Sequence, residues 1–136
     1  MRRTILAAAL AGAVIAAVAG CGTDASAPAP TAADLKGTWL QTGTGYEMGA
    51  PITWENQTLV IEKVDGQRFA GFKEYTREGE QPKKEMVNGV IGLNGDILIV
   101  DEDGSFRGRL VDGKVQGQYA EVGSDAAAIN VELSRK

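Results

Sequence analysis

The stretch LNGDILIVDEDGSFRGRLVDGKVQGQYA, residues 93–120, decides the fold. It carries Asn94-Gly95, Asp103-Gly104 and Asp112-Gly113, spaced nine residues apart. Such dipeptides accept positive φ in tight hairpin turns. Nine residues hold one short strand and one reversal, with no room for a helix and two connections. Between the turns, side chains alternate. Phe106, Gly108 and Leu110 fall on one face and Arg107 and Arg109 on the other. Val115, Gly117 and Tyr119 likewise oppose Gln116 and Gln118. The stretch reads as successive antiparallel hairpins.

The same grammar extends outward. Asp65-Gly66 is a fourth turn signal, and Ile129, Val131 and Leu133 alternate against Asn130 and Glu132. A bulky apolar residue is followed two places later by glycine in Phe69-Ala70-Gly71, Val87-Asn88-Gly89, Phe106-Arg107-Gly108 and Val115-Gln116-Gly117. Glycine weakens a flat strand but lets a sheet bend and makes room for a large neighbour. Eight strands follow, at 37–45, 55–64, 67–77, 84–93, 96–102, 105–111, 114–122 and 127–135. Short connections make them a meander. Eight antiparallel strands can close into an up-and-down β-barrel and lose their edges. The alternative, a two-sheet sandwich, needs longer crossovers, for which only 45–54 and 77–84 offer length. The expected class is all-β, with the barrel domain at 34–136.

LKGTWLQTGTG at 35–45 resembles the Gly-Thr-Trp first strand of avidin and streptavidin, and also the Gly-x-Trp motif of lipocalins. GQYAEVGSDAAAINVEL at 117–133 is similar to the last two streptavidin strands. Together these segments cover about 28 residues. The resemblance implies a ligand-binding barrel, but biotin binding does not carry over. Gln41 and Gly45 stand where the ureido-gripping residues would be, and Val115 and Leu133 where the caging tryptophans would be. Without that aromatic cage most of the buried contact area is gone. The lipocalin resemblance leaves the ligand equally open.

The first 20 residues have another character. Arg2 and Arg3 precede a run from Ile5 to Gly20 with no charge, the order of an export signal. The run ends in VAGC, residues 18–21, which resembles the lipobox of bacterial lipoprotein signal peptides and holds the chain's one cysteine. That resemblance implies a diacylglyceryl group on Cys21, cleavage before it, and a domain on the outer side of a bacterial membrane. A plain transmembrane anchor is the alternative, near the ~20 residues required, but it is alanine-dominated. Two acyl chains suffice for stable anchoring. Residues 21–33 form the expected flexible tether, since GTDASAPAPTAA lacks apolar bulk. Loss of Arg2 and Arg3 with the leader moves the net charge from −4 to −6. Such an acidic body does not suit nucleic acid.

The chain has no histidine, and lipidation of Cys21 would remove its thiol. The commonest general base and the commonest transition-metal ligand are therefore lacking, and no cofactor, metal or catalytic set is expected. DEDG at 101–104 lacks the spacing of a calcium loop and reads as a solvated turn. Asn56-Gln57-Thr58 matches a glycosylation acceptor but reads as the start of a strand, and REGEQPKKE at 77–85 as an exposed loop. Phe69, Phe72 and Phe106 are expected to face the lumen with the aromatic members of a candidate ligand set. That set is Trp39, Gln41, Lys73, Tyr75, Asn88 and Tyr119. A small apolar or amphipathic molecule in the barrel mouth is the expected ligand. A filled barrel that meets another envelope protein through its outer surface is the competing expectation.

Overall fold

The computed structural model describes residues 28–136. The leader, the lipobox with Cys21, and most of the tether lie outside the described residues. One helical turn, α1 (Ala32–Leu35), precedes β1 (Gly37–Glu47) and β2 (Ala50–Asp65). Then follow β3 (Arg68–Tyr75), β4 (Lys83–Ile91), β5 (Ile97–Val100), β6 (Gly104–Val111), β7 (Lys114–Glu121) and β8 (Ala127–Arg135). Each strand pairs antiparallel with the next, and β1 pairs with β8 from Trp39↔Arg135 to Glu47↔Ala127. The barrel is closed. Backbone bonds from Met48 N to Ala126 O (3.0 Å) and Lys136 N to Thr38 O (3.1 Å) extend that seam at both ends.

Turn chemistry accounts for the tight reversals. Asp112 and Gly113 both have positive φ, as a two-residue hairpin with matching twist requires. Asp103-Gly104 works differently. Gly104 is not among the positive-φ glycines. Instead Asp101 Oδ1 accepts from Gly104 N (2.7 Å) and Asp103 N (3.1 Å), so the side chain of Asp101 makes the turn.

Segment 45–54 departs from expectation. It is a hairpin and not a loop, because β1 runs on to Glu47, reverses at Met48-Gly49 and continues from Ala50. Met48 occupies a left-handed conformation (φ 48°) that asparagine usually fills. β2 is correspondingly long, and register breaks opposite Gln41/Gly43 and at Ile61/Lys63 bend it around the barrel. Asn56, at the first break, has φ 56°.

The inward faces form one core. It includes Trp39, Leu59, Ile61, Phe69, Val87, Ile97, Ile99, Phe106, Val115 and Leu133. The glycines seat the two phenylalanines. The Phe69 ring covers Gly89, its cross-strand partner, and Phe106 covers Gly108 and Gly117. Gly71, expected to make room for Phe69, instead lies against the β2 backbone at Val60, beside the second bulge. Phe72 also departs from expectation. Alternation with buried Lys73 sends it to the outer face, where Lys84 Nζ sits 3.4 Å from its ring centre.

One end of the barrel is sealed. Ala32 and Leu35 of α1 are buried, and Trp39 Nε1 donates to Leu35 O (2.8 Å). Arg135 lies over the outer side of the Trp39 ring at 4.0 Å and donates to Lys36 O (2.6 Å). Gln67 Nε2 donates to Pro30 O (3.4 Å), bringing the chain before α1 onto the same end. Residues 30–33, expected to be flexible tether, are therefore part of the packed domain. The other end carries the β1–β2 hairpin, loop 76–82, turn 101–103 and loop 122–126, and is open.

Candidate functional site

Above the packed core, the open end holds a cup of about 490 Å³. Its walls come from four places in the sequence. The β1–β2 hairpin supplies Glu47, Met48, Ile52 and Trp54, and β3 with its following loop supplies Lys73, Tyr75 and Arg77. The β5–β6 turn supplies Asp103, while β7 and β8 supply Tyr119, Glu121 and Ala127. The volume lies within the range of small-molecule sites. Below it the lumen is nearly full. The residual void between Gln41, Lys73, Phe106 and Tyr119 is about 20 Å³, room for roughly one water.

The floor between cup and core is ionic. Lys73 is 9% exposed. Its Nζ lies 2.7 Å from Asp101 Oδ2 and 2.8 Å from Glu85 Oε2. Tyr75 OH donates to the other Glu85 oxygen (2.5 Å), and Tyr119 OH donates to Asp101 Oδ1 (3.3 Å). Both tyrosine rings stand 5.4 Å from Lys73 Nζ. The Lys73–Glu85 contact is ionic only, and Glu85 Oε2 has no hydrogen-bond donor among the described residues. Trp54 packs edge-on against Tyr119 with ring centres 5.1 Å apart.

These contacts fix the protonation of the floor. Burial works against the Lys73 charge, but the hydrogen bond to Asp101 and the ion pairing with Glu85 and Asp101 outweigh it and hold the ammonium above its ordinary value. Burial, then the Glu85 carboxylate, pushes the Tyr75 phenol up; burial and Asp101 do the same to Tyr119. Higher on the wall, burial followed by the charges of Asp103, Asp125 and Glu47 raises the Glu121 carboxyl.

The six residues singled out from sequence divide by position. Lys73, Tyr75 and Tyr119 meet at the cup. Gln41 is buried below, donating to Gln57 (3.2 Å), and lines only the residual void. Trp39 is part of the seal at the opposite end, because it follows α1 by one turn of chain. Asn88 is exposed on the outer face, since its neighbours Val87 and Gly89 take the inward positions. Trp54, Glu85, Asp101 and Glu121 were missed. Each had a period-2 signal: Ile52/Trp54, Glu85/Val87, Ile99/Asp101 and Tyr119/Glu121 share a face.

No family model matches this chain, and no curated protein matches it. Among solved structures it is similar to zebrafish ileal bile acid-binding protein complexed with cholic acid. The identity is 18% and the TM-score 0.43, over 76% of this chain and 98% of that chain.

Proposed function

We propose that this protein is a lipid-anchored barrel of the bacterial envelope that binds a small amphipathic molecule in its open mouth. The observation that carries the reading is the division of the lumen. Phe69, Phe106 and Trp39 fill the lower barrel, while a 490 Å³ cup with mixed aromatic and polar walls stays open above. A barrel evolved only for stability gains nothing from ending its core on a buried ammonium with two carboxylates. Met48 supports the same reading. It keeps an unfavourable backbone conformation at the lip, where a flexible thioether can adapt to a guest. The role is binding and not catalysis, as the lack of histidine and the full pairing of Lys73 suggest. The anchor rests on VAGC at 18–21 and the export-signal order of the residues before it.

One observation favours the competing role of contact with another envelope protein. Met86, Val90 and Val100 form an exposed stripe on the outer face of β4 and β5, apolar except for Asn88 between them. Native mass spectrometry of the protein released from its own membrane tests both readings. A polypeptide beginning at a diacylglyceryl-modified Cys21 and carrying a small co-purifying mass is the expected result. A co-purifying polypeptide with an empty mouth would favour the stripe, and an unmodified Cys21 would remove the anchor.

A further inference from the structure

The cup has a sign. Five carboxylates line it, those of Glu47, Glu55, Glu78, Asp103 and Glu121, against the two cations Lys73 and Arg77. Lys73 is already matched by Glu85 and Asp101 beneath it. Among the described residues Arg77 is the one lining cation left for the wall, and its guanidinium lies 6.0 Å from the Tyr75 ring. Asp103, Asp125 and Glu47 all contribute to holding the Glu121 proton, after burial. Among these acids stand three aromatic rings. Tyr75 already faces Lys73 and Arg77, Tyr119 turns one face to Lys73, and Trp54 packs edge-on against Tyr119 with no cation over it among the described residues. Aromatic faces and fixed negative charge together are the arrangement that recognises an organic cation, whose hydration is weak enough to give up. An anionic headgroup would meet like charge on most of the wall.

We propose that the mouth selects an organic cation, an amine or quaternary ammonium with a short apolar part. The ammonium sits among Trp54, Tyr119 and Glu121, and the apolar part lies against Ile52, Met48 and Ala127. This rests on the binding role proposed above and adds the charge and class of the ligand. The deeper triad of Lys73, Glu85 and Asp101, one ammonium against two carboxylates, then serves as a filled ionic floor. It keeps the cation from sinking into the core and leaves the upper acids unmatched.

A matched series separates this inference from the binding role itself. Hexyltrimethylammonium, hexanol and hexanoate are titrated into the full-length protein at low salt, with tryptophan fluorescence and calorimetry as readouts. The ammonium is expected to bind at least about tenfold more tightly than hexanoate, with the preference shrinking in high salt as surface charges are screened. Trp54→Phe should abolish the fluorescence response and Trp39→Phe should keep it. Glu47→Gln with Glu121→Gln should weaken the ammonium several-fold and leave hexanol unchanged. Equal or tighter binding of hexanoate or hexanol overturns the cation and leaves a binding cup. Binding of calcium without the ammonium also overturns it. No binding by any of the three removes the binding role as well.

Discussion

Lys73 shows how one residue defines where core ends and site begins. It sits on the inward face of β3, two positions above Gly71, where alternation requires burial. A buried ammonium is tolerable only with partners, and removing one side of such a pair costs about 3–5 kcal/mol. Lys73→Met would leave Glu85 and Asp101 facing each other without a cation, so a loss of that order is expected in denaturant unfolding. Asp101→Asn should cost clearly less. Its side-chain oxygen still accepts from Gly104 and Asp103, preserving the turn, and although its NH2 replaces the oxygen facing Lys73, the ammonium keeps Glu85 as a one-to-one partner. Similar losses for both variants would mean that the turn, and not the charge balance, controls the floor. Lys73 and Tyr119 were legible in sequence as polar groups on an inward face. Their partners were harder to see, because Asp101 lies in a segment that reads as solvated turn and Glu85 in one that reads as charged loop. Composition dominated there, although Glu85 shares its face with Val87 and Asp101 with Ile99.

At the scale of strands and turns, the sequence carried most of the architecture. The nine-residue spacing of Asx-Gly dipeptides located β5 to β7, and the alternation of Ile129, Val131 and Leu133 located β8. The hairpin at 48–49 had no such signal, because methionine and not asparagine begins its turn. With it went Ile52 and Trp54, and so one whole wall of the cup. α1 escaped notice because a single turn has no period to detect; its buried pair, Ala32 and Leu35, is only three residues apart. The glycine argument held best at Gly108. A Cβ there would lie 2.5 Å from both Phe106 Cζ and Gln116 O. Gly108→Val should therefore destabilise by about 2–4 kcal/mol through overpacking and strand strain together. An unchanged melting temperature would show that Phe106 can leave its seat without cost.

For the molecule as a whole, the sheet closes on itself, and its shortest pairings are those of the four-residue β5 with β4 and β6. Its pH dependence should come from the floor. Lys73, Tyr75 and Tyr119 all hold their protons more tightly when folded. Above about pH 10 the unfolded chain begins to release those protons while the barrel keeps them. Unfolding then releases protons, so stability falls as pH rises, from the unfolded values up to the higher folded ones. Below that window the three groups contribute their full share. Melting temperatures between pH 8 and pH 11.5 should decline, and Tyr75→Phe with Tyr119→Phe should flatten the decline. A double variant with an unaltered slope would place the alkaline weakness elsewhere.

Pro30 and Lys136 leave from the same rim, the one stoppered by Trp39 and Leu35. A surface that grips the chain by either terminus therefore pulls on its base. A bead, a chip or a bilayer gripping either terminus holds the barrel like a goblet by its stem. Held so, the bowl points away from the support and its mouth stays open to solution.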